Sequence, residues 1–233
     1  MSAITYTRQL GIFDPEEHAD AAVSIVGLGG IGSFAAISLA KLGIPRLNLI
    51  DFDTVEPHNV PNQFYLIDSV ANTKAAALSD LCHGLAPITA SPYIGRMDKT
   101  GFHATAADNT FEPTPVMLSG LDSMSARTDV WEYIRLNPRI KIYLDARIAG
   151  QLIVIYAVNP MDLDSIDAYE KTLHSDDEAI AAPCTERGVI DVGMIVGGLL
   201  TRLVRSHYSR DEIKPITLLN LESLTLNTGD WVL

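Results

Sequence analysis

The chain has 233 residues, 47% of them hydrophobic and 20% charged, the size and balance of one α/β domain with a sizeable core. Its 29 acidic and 17 basic residues leave a net charge of -12, which disfavours a nucleic-acid or membrane-surface partner, since both demand a basic face. Two cysteines, Cys82 and Cys184, supply neither a disulfide framework nor a four-cysteine zinc site. No apolar run is long enough to span a bilayer and no signal peptide is evident, so the cytoplasm is the expected compartment.

Residues 2–20 carry no strong strand signal. They hold Arg8 and Gln9 just before an acidic stretch, 14–20, whose composition suits a short helix. Residues 23–26 are apolar and rich in β-branched side chains, as a buried parallel strand requires. That strand stops at Gly27, Gly29, Gly30 and Gly32, and a helical pattern of apolar residues runs over 31–42. Gly43 is placed to cap that helix in a left-handed conformation, and Pro45 prevents its continuation. A second apolar strand, 47–50, ends in Asp51. Together these form a tight β-α-β unit with a right-handed crossover. A strand, a glycine turn and a helix N-terminus make an anion site, because unpaired backbone N–H groups and the helix dipole point outward together. A carboxylate at the end of the second strand is placed to hydrogen-bond a ribose. The expected ligand is therefore an adenine nucleotide, and the glycine pattern does not distinguish ATP from NAD.

A polar, proline-interrupted loop follows over 53–68, with Glu56, His58, Asn59, Asn62 and Gln63. A loop leaving the carboxyl end of a parallel strand is where such folds bind ligands. Asn72 is the expected cap of a helix over 73–85. Lys74 lies in its first turn, a poor place for a cation unless an anion binds nearby. Cys82 and His83 read as packing and capping residues. A strand is expected over 88–93 and a short helix over 101–107. Residues 116–121 form a clean apolar strand ending in Asp122 and Ser123, followed by a helix over 125–136 with Arg127 in its first turn. Strands over 140–144 and 152–158 flank a turn that holds Asp145, Arg147 and Gly150. Residues 162–183 read as a long acidic linker with Asp162, Asp164, Asp167, Glu170, Asp176, Asp177 and Glu178, which suits a partner with a basic patch. A helix over 191–206 contains Gly193, Gly197 and Gly198, which thin one face for close packing or for a dimer contact. Residues 215–233 alternate as two short strands. No H-E-x-x-H, no G-x-S-x-G and no Walker A ending is present.

Six motifs in order resemble the adenylyltransferase family of ThiF, MoeB and the ubiquitin-activating enzymes. Y-T-R-Q is similar to that family's Y-S-R-Q, and G-L-G-G-I-G to its G-x-G-G-L-G. D-F-D-T-V-E-P-H-N-V-P-N-Q is similar to D-x-D-x-V-x-x-x-N-x-x-R-Q, with Lys74 at the proper distance after it. L-D-S-M-S-A-R resembles D-x-x-x-x-R after an apolar strand, and P-C-T-E-R-G-V resembles C-x-x-x-G-V before the last helix. The resemblance implies a Rossmann-like, mostly parallel sheet flanked by helices, with antiparallel strands toward the C-terminus. It implies a single adenylyltransferase domain over 1–233: an arm over 1–20, a nucleotide-binding core over 21–160, a crossover linker over 161–190, and a last helix and strands over 191–233.

The implied reaction uses ATP and Mg²⁺ to adenylate the C-terminal glycine of a ubiquitin-like protein, a sulfur carrier or a peptide, releasing pyrophosphate. The implied nucleotide contacts are Gly27, Gly29, Gly30, Ile31, Gly32, Asp51, Asp53, Asn59, Asn62, Gln63, Lys74, Leu121, Asp122 and Arg127. Within that set Asp51 takes the ribose, Asn59, Gln63 and Lys74 take phosphates, and Asp122 holds the metal. Arg8 would enter the other subunit's site in a homodimer, and Cys184 aligns with the position that accepts the acyl group in some members. Attack of a carboxylate on an α-phosphate brings anions together, so cations and fixed N–H dipoles must offset the repulsion. The chain departs from the pattern at Asn62, where the family has arginine, losing one phosphate-binding charge worth about 1.5–3 kcal/mol; Arg127 is a candidate replacement. The zinc-binding C-x-x-C pairs of MoeB-like members are absent. A NAD-dependent Rossmann oxidoreductase, or a non-catalytic scaffold of the same family, are the competing readings.

Overall fold

The computed structural model describes residues 5–105, 110–174 and 189–231. The expected acyl acceptor Cys184 and the acids Asp176, Asp177 and Glu178 lie outside the described residues. Among the described residues one mixed sheet has the order β4-β3-β2-β1-β5-β6-β7-β8-β9. Its centre, β3 (Thr89–Asp98), β2 (Arg46–Asp51), β1 (Ala22–Val26), β5 (Val116–Ser119) and β6 (Ile142–Ala149), is parallel. Both margins are antiparallel. They are β4 (Gly101–Ala104) on one side and β7 (Leu152–Val158), β8 (Ile216–Asn220) and β9 (Thr225–Gly229) on the other. This is the Rossmann-like sheet with antiparallel C-terminal strands that the sequence motifs imply.

The chain runs outward from β1 through β2 to β3, then returns across β1 to begin β5. Strand order reverses between β1 and β5, and such a switch point opens a crevice at the carboxyl ends of the strands. All five residues of β1 and all four of β5 are buried. Strands covered on both faces are near-continuous apolar runs, and the one hydroxyl in each, Ser24 and Ser119, is hydrogen-bonded to a side chain, Thr114 and Asp145.

Helix α1 (Gly32–Leu42) and α2 (Lys74–Leu85) cover one face with α5 (Ile190–Ser209), around Ala35, Leu39, Leu78, Val196 and Leu200. The other face carries α3 (Met124–Ile134) and α4 (Leu163–Glu170), around Met117, Trp131, Tyr143, Ile166 and Tyr169. Gly43 ends α1 at φ 91°, and its N–H closes on the carbonyls of Leu39 and Ala40, as the expected left-handed cap. No helix among the described residues is long and apolar enough to cross a membrane.

Several expected elements are corrected. Residues 15–20 form turns, with His18 N–H donating to the Pro15 carbonyl, and not a helix. Thr73, not Asn72, occupies the N-cap of α2, and its side chain makes no cap hydrogen bond. The expected helix near 101 is instead β4, an antiparallel return on a long β3; Tyr93 packs edge to face with Phe102 and with Phe111 there, so tertiary aromatic contacts override local propensity. Asp145 and Arg147 are not in a turn: β6 runs on to Ala149, and Gly150 and Gln151 make the two-residue hairpin. The acidic linker begins as α4, capped by Asp162 accepting from Ser165 N–H at 2.8 Å. Its acids are partly used within the chain, since Glu170 pairs with Arg135 and accepts from Trp131 while Asp167 pairs with Lys171.

Candidate functional site

The glycine turn sits at the switch point because two close approaches leave no room for side chains. Gly27 adopts φ +82°, and a Cβ on Gly32 would lie 2.0 Å from the Gly27 carbonyl oxygen. The end of β5 presses on the same turn: a Cβ on Gly120 would lie 2.8 Å from Ile31 Cβ and 3.1 Å from Gly32 N. A Cβ on Gly27 would lie 3.1 Å from Leu121 Cδ2. Asp122, the next residue, is exposed at the crevice. Ser123 and not Asp122 caps α3, accepting from Ala126 N–H at 3.3 Å, so the Asp122 carboxylate is not spent as a cap. Ile31 provides no side-chain cap to α1. The first turn of α1 therefore presents backbone N–H groups and the positive dipole end toward the crevice.

Asp51 ends β2 and is buried. Its Oδ2 accepts from Leu28 N–H at 2.7 Å and its Oδ1 from Asp53 N–H at 2.8 Å. Burial raises the Asp51 carboxyl above its ordinary value, and the two amide donors and the Lys74 charge act against that rise. Lys74 opens α2, is buried, and forms a 3.0 Å ion pair with the half-exposed Asp53; its backbone N–H also donates to the Asp53 carbonyl. A buried ammonium at a helix N-terminus is held against the dipole, so Asp53 supplies the anion that the position needs.

The loop between β2 and α2 folds over the glycine turn. Asn59 is buried and its Oδ1 accepts from Glu56 N–H at 2.9 Å, closing the loop on itself. Asn62 backbone lies 3.6 Å from a Cβ built on Gly30, and Gln63 Nε2 lies 3.9 Å from one on Gly29. Asn62 Oδ1 and Gln63 Oε1 are buried without a hydrogen-bond partner among the described residues. Two clasps missed by the sequence reading hold this loop down. Tyr65 OH donates to the Leu28 carbonyl at 2.7 Å, and Ser33 Oγ donates to the Gly29 carbonyl at 2.7 Å while accepting from Phe64 N–H at 3.0 Å. The sequence signal for them was slight: a hydroxyl directly after the glycine turn and another two residues after Gln63.

The ThiF family model matches residues 6–228. The chain belongs to the ThiF family. A relative from Dictyostelium discoideum, ubiquitin-like modifier-activating enzyme 5, is 28% identical over 231 residues, covering 88% of this chain and 58% of the relative. Molybdopterin-synthase adenylyltransferase of Salmonella typhimurium (strain LT2) is 32% identical over 134 residues, covering 54% of this chain and 52% of the relative. The crystal structure of E. coli MccB with ATP superposes at a TM-score of 0.66 with 17% identity, covering 93% of this chain and 65% of MccB. The ThiF-family chain therefore spans less than two thirds of these relatives, and at this identity the likeness to MccB shows the shared fold.

In this ThiF-family chain the remaining expected site residues fall into three places. Gly27, Gly29, Gly30, Ile31, Gly32, Asp51, Asp53, Asn62, Gln63, Lys74, Leu121 and Asp122 gather around the crevice, with Asn59 in the loop above. Arg127 is buried one helical turn into α3 and engaged within the chain: its Nε pairs with Asp145 Oδ1 at 2.8 Å and its Nη2 donates to the Leu121 carbonyl at 2.6 Å. Arg8 is exposed at the far end of α1. There Gln9 Nε2 donates to the Leu42 carbonyl at 2.8 Å, and Arg8 lines a cavity of about 430 Å³ with Tyr6, Lys41 and Leu85. One α1 helix, about 16 Å at 1.5 Å per residue, separates Arg8 from the glycine turn of its own chain. Cys82 is buried and its thiol is pushed up to about 12 by burial, which fits the packing role expected of it. His83 accepts from Ala90 N–H at 3.1 Å and ties α2 to β3.

Proposed function

We propose that the chain is an ATP-dependent adenylyltransferase acting on the C-terminal carboxylate of a ubiquitin-like protein, a sulfur carrier or a peptide. The observation that carries this reading is the convergence at one switch point of an uncapped helix N-terminus, a buried lysine and two carboxylates of different exposure. An anionic ligand fits the first two, and a ribose and a metal fit the carboxylates.

The relatives support the chemistry by their names: one activates a ubiquitin-like modifier, one is an adenylyltransferase. MccB has been crystallised with ATP and with MccA. In this proposal Asp51 hydrogen-bonds the ribose and the Gly29 to Gly32 backbone holds phosphate oxygens. Lys74 turns from Asp53 toward the phosphates and offsets the charge that builds as a carboxylate approaches the α-phosphate. Asn62 abuts the glycine turn by its backbone and Gln63 by its amide nitrogen, and neither buried side-chain oxygen has a partner among the described residues. Their NH₂ groups would offer phosphate oxygens neutral donors, so Asn62 stands in for the family arginine without its charge. Asp122 is the residue that would hold Mg²⁺. A single exposed carboxylate suits that ion, which is bound through one or two carboxylates plus substrate phosphates and not by a protein cage. No cluster of three or more His, Cys, Asp or Glu among the described residues competes for it. Bound there, the ion would neutralise phosphate charge.

Arg8 stands too far from its own glycine turn to contact that nucleotide. We assign it to the site of a second copy, in a homodimer, and place the enzyme in the cytoplasm. Acyl transfer to Cys184 is a further step of the same proposal. Calorimetric titration with Mg-ATP and with NAD tests the reading, followed by carboxylate-dependent pyrophosphate exchange. Binding of Mg-ATP and not of NAD is expected, weakened by Asp122→Ala. Binding of NAD alone would replace the adenylyltransferase with an oxidoreductase.

A further inference from the structure

Behind Asp122 the sheet buries more charge than packing needs. Asp145, on β6, is fully buried and its carboxylate takes four hydrogen bonds. Oδ1 accepts from Ser119 Oγ at 2.9 Å and Arg127 Nε at 2.8 Å; Oδ2 accepts from Arg147 Nε at 2.7 Å and Tyr169 OH at 3.0 Å. Each arginine then reaches a different segment. Arg127 donates to the carbonyls of Leu121, at 2.6 Å, and Ser123, at 3.5 Å, the residues on either side of Asp122. Arg147 donates to the carbonyl of Thr172 at 2.9 Å and to its Oγ1 at 3.0 Å, just beyond α4, and lies over the Tyr156 ring. Two guanidiniums and one carboxylate form one network that spans β5, α3, β6 and the end of α4. A buried ion pair is a costly way to gain stability, since an apolar replacement often does as well. A planar guanidinium locked at Nε has its Nη atoms aimed in fixed directions, and that directional hold is what an apolar residue cannot supply.

We propose that Asp145 is a positioning residue for Asp122: through Arg127 it fixes the backbone on both sides of that carboxylate and so aims it into the crevice. This rests on the proposed metal-binding role of Asp122, and it deepens that role by naming what makes one exposed carboxylate a defined ligand. The exposed Asp122 makes no cap of its own, so its orientation depends on the two carbonyls that Arg127 holds.

The test has two arms. In ligand-free protein, hydrogen exchange is read at Ala126 and Arg127 N–H, which donate to Ser123 Oγ and O. Leu28 N–H, which donates to Asp51, is the reference. Asp145→Asn is expected to speed exchange at Ala126 and Arg127 about tenfold, with Leu28 unchanged, as a lost charge-assisted bond predicts. In the second arm Mg-ATP affinity is measured for Asp122→Ala, Asp145→Asn and the double variant. Asp145→Asn is expected to weaken binding about tenfold and the double variant to bind no worse than Asp122→Ala, because a residue acting through another shows no additional loss. Arg127→Lys, which keeps the charge but cannot span Asp145 and Leu121 together, should reproduce both results and carries the test if Asp145→Asn does not fold. Unchanged exchange, a uniform rise that includes Leu28, or additive losses would overturn the proposal. If wild-type protein binds no Mg-ATP, the adenylyltransferase reading fails, while the exchange arm still decides whether Asp145 holds the Asp122 segment.

Discussion

Two adjacent glycines in α5 face opposite surroundings, and substituting each with alanine separates packing from helix propensity. A Cβ on Gly198 meets nothing within 4 Å. Gly198→Ala should therefore gain the propensity difference alone, about 1 kcal/mol. A Cβ on Gly197 would lie 2.8 Å from Phe34 Cβ, 2.9 Å from its carbonyl carbon and 3.0 Å from its carbonyl oxygen. These atoms cannot rotate away, so the upper end of the usual overpacking cost, about 3 kcal/mol, applies and leaves a net loss of about 2 kcal/mol. For a chain of this length, with about 2.1 cal/mol/K of unfolding entropy per residue, 1 kcal/mol is about 2 °C. Differential scanning calorimetry should then show Gly198→Ala raised by about 2 °C and Gly197→Ala lowered by about 4 °C. The consequence reaches the site, because Phe34 is on α1 and the backbone of Gly30 lies close to Gly193. Gly197→Ala should weaken nucleotide binding, and Gly198→Ala should leave it unchanged. An unchanged or raised Tm in Gly197→Ala would refute the assignment of Gly197 to intrachain packing. A Gly198→Ala loss would mean that its open face is covered by another molecule, which is the dimer contact considered for these glycines.

Lys74→Ala removes a buried cation at the crevice and should cut Mg-ATP affinity at least tenfold, about 1.5–3 kcal/mol, read by calorimetry. Burial opposes ionisation of Asp145, but Arg127 and Arg147 outweigh it and hold its carboxyl below the ordinary 3.8. Its folded value lies below the unfolded one, so its contribution is fully present above pH about 4 and is lost as pH falls through the folded value. Stability measured by urea unfolding from pH 7 down to 2 should fall less steeply below pH 4 in Asp145→Asn than in wild type; parallel curves would remove the charge from that account. Cys82 should resist iodoacetamide at pH 8 in the folded protein and react once urea unfolds it, since the thiolate is the reactive form; peptide mass spectrometry reads the difference, and rapid labelling of the native protein would contradict its burial.

The local elements around the crevice are legible because their causes are local. A β-branched run, a glycine turn, an apolar helical period and a glycine stop lie within residues 23–43, and each acts on neighbours in the chain. The same holds for Asp51 at the end of β2, Lys74 at the start of α2 and the chain's ThiF-family motifs, whose spacing survives in any one sequence. The failures share another cause. Residues 101–104 have no strong local preference, and β3 with the Tyr93, Phe102 and Phe111 rings decides that they pair as a strand. Asp145 and Arg147 read as turn residues because charge usually marks a surface; only the sheet brings Ser119, Arg127 and Tyr169 from far along the chain to neutralise them. Arg127 likewise carries a motif position in sequence, and the fold turns it inward to hold the Leu121 carbonyl. Sequence by itself determined where the glycine turn, Asp51, Lys74 and Asp122 fall, since those positions are strand ends and helix starts. Tertiary structure alone decided which charges are buried and what holds them, since the compensation of a buried charge depends on partners that the chain brings together only when folded.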